Sequence, residues 1–393
     1  MYNPPFHNKP EYKDYPKMEN KELYISSAWL KNHDSYFKFK SYLNSMLKGE
    51  KYVVVDLPYT VPLEEGFLTQ SRVDAIRNED DMSQMSWEME MEGKWFGESE
   101  TSFYKLDEIE PCRNLIKPWY PPTKEEYILE KEKSKKKRSY YLPKQDGEKR
   151  MIAVDIALMG SSANDASVFT MIRLIPEGEE YIRHIVNIET FDGTHSEAQA
   201  IRLKQLFDDF DVDYIVMDTA GNGISVYDSM SKTQYDEDRD IEYPPFVAFN
   251  NEKMTQRALS KNGIPCVFSI KVVQAEVNHQ ICTWLKDDLQ KKKIKMLIND
   301  IEAKSYLTDK HNFHLKSGEE QALLLKPYIQ TSALVNELVN LEWKMIGAFI
   351  KVFETGRNRK DRYSSCAYGN YYARLLEKEL KKPKRSGDLP MLW

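Results

Sequence analysis

The chain has 393 residues, 41% of them hydrophobic and 30% charged, which is the composition of an ordinary globular protein with room for two domains. No run of about 18 apolar residues is present, so the sequence predicts no membrane span. The first residues lack the basic start and apolar stretch of a secretory signal. The formal net charge of −6 excludes a protein that coats nucleic acid, but not an enzyme that binds it through clustered Lys and Arg.

The N-terminal part of the chain changes character near residue 20. Residues 1–20 are polar and contain proline without periodicity, which predicts a disordered or extended lead-in. Up to residue 117 the apolar pattern then predicts a small domain. Its predicted elements are strands at 23–26 and 52–57 and helical segments at 34–48 and 79–93.

The best candidate for a linker is the stretch 118–147, which begins with prolines and ends in a dense charge run. Its basic part includes Lys136, Lys137 and Arg138, which we regard as DNA-contact candidates because clustered cations are the footprint of a phosphate-binding surface. The same run also fits a solvated tether between two domains. A second basic run, 381–393, is predicted to be a tail.

Between residues 148 and 380 the pattern alternates between strands and helices. This alternation predicts an α/β fold with a mixed central sheet and helices on both faces. The predicted strands cover 151–157, 167–175, 181–189, 214–217, 267–270 and 347–353. The predicted helices cover 196–210, with Ser196 as N-cap, a stretch from about 224, and 274–292, 319–344 and 361–380.

Three acids stand where such a fold places chemistry. Asp155 ends the apolar run MIAVD, Asp218 ends YIVMD, and Asp361 begins a predicted helix. Open α/β sheets bind their ligands at the carboxyl ends of strands, and Mg²⁺ or Mn²⁺ prefers carboxylate oxygens. Two such ions would serve phosphodiester hydrolysis, one activating water and one stabilising the leaving oxygen. Each acid, taken singly, also fits a helix cap or a turn.

The same residues resemble the nuclease domain of the tailed-bacteriophage terminase large subunit. The resemblance covers roughly 145–380 and consists of three motifs in the family's order: strand-Asp155, the segment YIVMDTAGNG, and RNRKDRYSSCAYG. It implies a ribonuclease H-like fold in which Asp155, Asp218 and Asp361 bind the metal ions, with Asp165 in GSSANDAS as a fourth ligand. Lys360 and Arg362 flank the third acid, where they either contact the scissile-strand phosphate or balance its charge.

The N-terminal segments ELYISSAW and SWEMEMEGKWFGES also resemble parts of that family, from the end of its ATPase domain. The resemblance implies that residues 21–117 are a remnant of an ATPase domain and that Ser26 and Ser27 couple ATP hydrolysis to movement. A strand ending in a serine-rich turn explains the same residues without such a role. No G-x-x-x-x-G-K-[ST] motif occurs, so we expect no ATPase activity from this chain alone. We expect either a divided gene or a truncated frame.

The resemblance therefore implies a two-metal endonuclease that cuts concatemeric double-stranded viral DNA during packaging. From the resemblance alone we expect four partners: double-stranded DNA, a terminase small subunit, a portal protein, and a separate chain carrying the ATPase motor. It also implies location in the host cytoplasm, transiently at the procapsid portal. The alternatives are another ribonuclease H-like nuclease, of the resolvase or integrase type, and a non-catalytic component of packaging assembly.

Overall fold

The computed structural model describes residues 10–12, 22–29, 31, 34–78, 84–95, 102–132, 142–157, 166–192, 195–260, 262–354 and 359–381. Four of the predicted site residues lie outside these ranges: Asp165, Lys136, Lys137 and Arg138. So do most of the predicted lead-in and tail. The chain divides into two compact units, Met1–Phe96 and Gly97–Trp393.

The regular secondary structure among the described residues of the first unit is helical. Its helices are α1 (Asp34–Leu47), α2 (Thr60–Glu64), α3 (Gln70–Arg77) and α4 (Gln84–Glu90). The helix predicted at 34–48 is confirmed by α1. The strands predicted at 23–26 and 52–57 are extended segments, but they pair with no other described residue in a sheet. Apolar alternation thus predicts the extended backbone, whereas a strand also needs a neighbour for its backbone groups.

The second unit contains all the strands of the described chain. They are β1 (Arg113–Leu115), β2 (Lys149–Asp155), β3 (Ala166–Glu177), β4 (Glu180–Asp192), β5 (Tyr214–Asp218), β6 (Gln234–Asp236), β7 (Ile241–Tyr243), β8 (Phe246–Ala248), β9 (Ile264–Ile270), β10 (Ile294–Leu297), β11 (Leu341–Ile346) and β12 (Phe349–Glu354). The helices are α5 (Leu106–Ile109), α6 (Lys124–Glu132), α7 (Ser196–Asp209), α8 (Gly223–Met230), α9 (Glu252–Arg257), α10 (Ala275–Gln290), α11 (Asp300–His311), α12 (Gly318–Val339) and α13 (Asp361–Leu380). None of the helices in the described part of the chain is both long and apolar enough to cross a membrane.

Eight strands form one mixed sheet in the order β1-β10-β4-β3-β2-β5-β9-β8. The strand β3 is antiparallel to both of its neighbours, β2 and β4, while β5 and β9 continue from β2 in parallel. This is the ribonuclease H-like arrangement, and the predicted α/β fold class is confirmed. The long connections between the parallel strands are the helical crossovers that parallel pairing requires.

Helices cover both faces of this sheet because its central strands are apolar on both sides. In β2, Met151 and Ala153 belong to a core shared with α10, α12 and α13. Ile152 and Val154 belong to a second core, shared with α7, α8 and α9. Successive side chains of β2 thus point alternately into the two cores, which is typical of strands buried on both faces.

Helix α13 lies against the sheet at very short range. A Cβ on Gly369 would stand 2.4 Å from Cδ1 of Ile172 and 3.0 Å from Cβ of Ala153. One turn earlier, the Ser365 hydroxyl donates to the Ala153 carbonyl at 2.8 Å and lies 2.7 Å from the Thr170 hydroxyl. These contacts fix the position of the helix start, where Asp361 stands.

The domain boundary differs from the predicted one at residue 117. Residues 102–117 pack with the second unit, because β1 pairs with β10 and because the buried Tyr104 hydroxyl donates to the Cys282 carbonyl at 3.1 Å. Part of the predicted linker is the helix α6. An ATPase origin for the N-terminal residues stays a prediction.

Two local predictions are wrong. The helix predicted at 319–344 ends at Val339, and the next residues form β11 of a hairpin with β12. Ser196 is the first residue of α7 rather than its N-cap, which is His195 and makes no side-chain capping bond. The spacing of apolar residues does not locate such helix ends, because a short apolar run is compatible with either a strand or a turn of helix.

Candidate functional site

Two of the predicted acids end neighbouring parallel strands at the same level. Val154 of β2 is in register with Met217 of β5, so the next residues, Asp155 and Asp218, stand side by side on strands about 4.8 Å apart. Ala153 and Val216 face the core that includes α13. By alternation, both carboxylates face that same side of the sheet.

The third acid comes to this edge from the far end of the chain. Asp361 is the first residue of α13, and its Oδ2 accepts a hydrogen bond from the Ala166 backbone N–H at 3.2 Å. Ala166 begins β3, whose Val168 is in register with Asp155. The structure therefore brings all three predicted acids together at one end of the central strands.

The electrostatics show that the charges of Asp361 and Asp218 act on Asp155. Burial raises the pKa of Asp155, and the neighbouring charges of Asp361 and Asp218 raise it further, to about 7. Burial also raises the pKa of Asp218, although a hydrogen bond of 3.0 Å from the Ala220 N–H opposes this. Neighbouring carboxylates raise the pKa of Asp155 in this way because like charges disfavour joint ionisation.

Cations in the described part of the chain do not neutralise the strand-end pair. Among these residues, neither Asp155 nor Asp218 forms an ion pair with Lys or Arg. No group of three or more His, Cys, Asp or Glu there is arranged closely enough to hold a metal ion as it stands. The acids share one edge, and their carboxylate oxygens are the donor type that hard divalent cations select.

The two basic candidates beside Asp361 have different surroundings. Lys360 forms an ion pair with Glu354, and its charge lowers the pKa of Asp155, so it lies next to the acids. Arg362 is directed at α12, where it donates to Gln330 and Glu337, both at 2.7 Å. This pairing gives Arg362 a structural part, and a DNA contact by either residue stays a prediction.

The predicted coupling serines belong to the first unit. The Ser26 hydroxyl donates to the Ser27 carbonyl at 2.9 Å. Ser26 also lines a cavity of about 380 Å³ together with Tyr42 and Trp95. Nothing in this geometry tests a coupling role, which stays a prediction.

Two further residues of α13, Ser364 and Tyr368, also face the acids. Ser364 lowers the pKa of Asp155 by hydrogen bonding to it. Tyr368 is buried, and the charges of Asp155 and Asp218 add to the rise in its pKa that burial causes. Their spacing from Asp361, three and seven residues, places all of them on one helix face. That spacing was the signal by which the sequence could have revealed them.

No protein-family model and no curated protein matches this chain. Similar solved structures are nuclease domains of phage large terminases. That of thermophilic phage G20c with bound magnesium is 15% identical, with 57% of this chain and 82% of that chain covered and a TM-score of 0.34. That of Thermus phage P74-26 is 16% identical, with 57% and 79% covered and a TM-score of 0.32. That of phage P22 is 8% identical, with 61% and 90% covered and a TM-score of 0.30.

Large terminase nuclease domains are thus the structures to which this chain is similar, as the sequence predicted. All three TM-scores are below 0.5. The function proposed below is therefore supported by the positions of this chain's own side chains.

Proposed function

We propose that this chain is a metal-dependent endonuclease that cuts double-stranded DNA. The observation that carries the proposal is the convergence of Asp155, Asp218 and Asp361 at one sheet edge, with no ion pair to the strand-end acids among the described residues. Like charges that lie half-buried beside one another are costly to hold together. A divalent cation that binds between them removes this cost, so the arrangement favours a metal site over a structural one.

In this proposal Asp155, Asp218 and Asp361 hold two ions, Mg²⁺ or Mn²⁺. The ions would supply an activated water and a stabilised leaving oxygen for hydrolysis of the phosphodiester. Asp155 and Asp218 are held by their strands, and Asp361 by its bond to the Ala166 N–H. Lys360 adds a positive charge beside the phosphate, and the Ser364 hydroxyl orients the Asp155 carboxylate.

We further propose that the enzyme acts in viral DNA packaging and cuts concatemeric DNA. Support for this is the order of the three motifs in the sequence. A terminase small subunit, a portal protein and a chain carrying the ATPase motor are the partners that the proposal requires. Each of them is testable by co-purification with this chain.

Cleavage of supercoiled plasmid by the purified chain with Mn²⁺ tests the activity. We expect nicked and linear products from the wild type, and loss of both with Asp155→Ala and with Asp361→Ala. Asp309→Ala is the matched control, because Asp309 is an exposed acid on α11. Binding of Mn²⁺ by the same four proteins, followed by electron paramagnetic resonance, separates loss of metal from loss of chemistry.

Two results would count against the proposal. Cleavage that survives in the Asp155 and Asp361 variants would place the nuclease elsewhere or in a contaminant. A folded wild type that neither cuts DNA nor binds Mn²⁺ more tightly than these variants would favour the non-catalytic assembly component.

A further inference from the structure

A cavity of about 550 Å³ opens at the carboxyl ends of β5, β8 and β9. Thr219 and Ala220, which follow Asp218 directly, form part of its lining. Since successive residues of a strand point to opposite faces, Thr219 is on the α8 and α9 side while Asp218 is on the α13 side. The cavity therefore lies next to Asp218, around the end of β5.

A polar network anchors the floor of this cavity. The Asn250 side-chain amide pairs with the backbone of Ser269. It donates to the Ser269 carbonyl at 2.9 Å and accepts from the Ser269 N–H at 2.7 Å. The Asn251 amide donates to the Ser269 hydroxyl at 2.9 Å, and that hydroxyl lies 2.6 Å from the Thr219 hydroxyl. Ser269 and Thr219 are both buried, so the network is held rigidly.

This network leaves hydrogen-bonding capacity that faces the cavity. The Ser269 and Thr219 hydroxyls carry two hydrogens, and only one of them is used in the bond between them. The Oδ1 atom of Asn251 accepts no hydrogen bond from any described residue. A cavity floor with one spare donor and one spare acceptor is prepared for a ligand that has both groups.

The residues of the walls and the rim indicate which class of ligand fits this cavity. Ile224, Met254 and Val273 give the walls apolar surface, while Lys253 and Lys271 stand exposed at the rim. In the described part of the chain neither lysine has an ion-pair partner. Apolar walls suit the face of a base, the polar floor suits its edge or its sugar, and the two ammonium groups suit phosphates.

We propose that this cavity binds one nucleotide of the DNA strand, the one next to the phosphate that lies at Asp155, Asp218 and Asp361. Lys253 and Lys271 contact the flanking phosphate, and Asn251 and Thr219 bond the base or sugar. The inference rests on the proposed function, because it is the acids that place the scissile phosphate beside the cavity.

The contribution of the rim is tested by reversing its charge. DNA affinity is measured with Ca²⁺ in place of Mn²⁺, so that binding is recorded without cleavage. We expect Lys253→Glu with Lys271→Glu to weaken binding about tenfold or more, as loss of two phosphate contacts should. Lys304→Glu with Lys310→Glu is the control, since these exposed lysines of α11 are on the other lateral edge of the sheet and change the net charge equally. Equal weakening by both pairs would overturn the assignment of the rim.

The contribution of the floor is tested with a fluorescent base. A short DNA carries 2-aminopurine at each position in turn, and its fluorescence is followed on binding with Ca²⁺. We expect a change confined to one or two adjacent positions in the wild type, reduced in Asn251→Ala. A change of equal size at every position, or one that Asn251→Ala leaves intact, would overturn the nucleotide site.

The two proposals fail in different ways. Because the fluorescence and affinity measurements need no turnover, a position-specific signal without any cleavage leaves the nucleotide site standing and removes the nuclease. Cleavage that proceeds with no position-specific signal supports the nuclease and removes the nucleotide site.

Discussion

The acids at the two ends of the central strands have opposite surroundings. At the amino end of β2, Glu148 accepts from Arg173 at 2.7 and 2.9 Å and from Arg150 at 2.8 Å. Burial raises its pKa, but these bonds and one from the Gln145 N–H lower it to about 2. At the carboxyl end of the same strand, Asp155 has no arginine partner among the described residues, and its pKa is raised to about 7.

The pairing at the amino end is not confined to Glu148. Arg183, which is level with the start of β2 through the register of β3, donates to Glu377 at 2.6 Å. Arg374 donates to Asp288 at 2.7 Å. A buried acid by itself is therefore weak support for a functional site in this fold. Among the described residues, Asp155 and Asp218 at the carboxyl end have raised pKa values and form no ion pair with Lys or Arg, and such groups are functional-site candidates.

The largest expected effect is on catalysis. Asp155→Asn keeps the shape of the side chain and removes the charge that binds a cation. We expect it to reduce Mn²⁺-dependent plasmid cleavage about 1,000-fold, a loss typical of groups that stabilise the reacting charges. Glu148→Gln is the same kind of change at the other end of β2, and we expect cleavage within about threefold of the wild type. Equal loss in both variants, measured by initial rates on one plasmid, would show that the two ends do not differ.

The same two variants should shift stability in opposite directions. Glu148→Gln leaves Arg150, a guanidinium with 0% side-chain exposure, without its carboxylate, and we expect a loss of about 3 kcal/mol. Asp155→Asn relieves repulsion among the acids, and we expect a gain of about 1 kcal/mol without metal. Urea denaturation in EDTA measures both. A destabilised Asp155→Asn protein would mean that this carboxylate has a structural role.

The pH dependence of stability should also differ between the two ends. The folded pKa of Glu148 is below its ordinary value of 4.5, so its contribution is complete above that value and is lost as pH falls toward 2. The folded pKa of Asp155 is above its ordinary value of 3.8, so ionising it costs stability as pH rises from about 4 to 7. Unfolding without metal gives the two slopes, measured against the wild type for Glu148→Gln between pH 2 and 4.5 and for Asp155→Asn between pH 4 and 7. Slopes of the same sign would contradict the comparison.

The smallest effect concerns the packing that positions the third acid. Gly369→Ala puts a Cβ against Ile172 and Ala153, and we expect a loss of about 2 kcal/mol from overpacking. The helix start moves with it, so cleavage should fall more than in a variant that is equally unstable for another reason. Gly318→Ala on α12 is the control, because its added Cβ meets nothing within 4 Å. Unchanged melting and cleavage for Gly369→Ala would show that α13 is not held by this contact.

Much of the fold and the site could be predicted from the sequence where the signal is local. An apolar run that ends in an acid marked Asp155 and Asp218 directly, and the helix that begins at Asp361 was predicted to its last residue, Leu380. The strand β10 was missed because its first two residues, Ile294 and Lys295, are the end of a basic run, KKKIK at 291–295. The arginine partners of Glu148 were also missed, since the partner residues meet only through the sheet register. The cavity beside Asp218 depends on loops from three strands, and no local pattern encodes it.

The most direct measurement is the effect of Mn²⁺ on thermal stability in four proteins, the wild type and Asp155→Asn, Asp218→Asn and Asp361→Asn. A ligand at 100 times its Kd stabilises the folded state by about 2.7 kcal/mol, so the melting temperature of the wild type should rise by several degrees. We predict that this rise is lost in all three variants. An equal rise in all four proteins would contradict a shared metal site at the carboxyl end of the sheet.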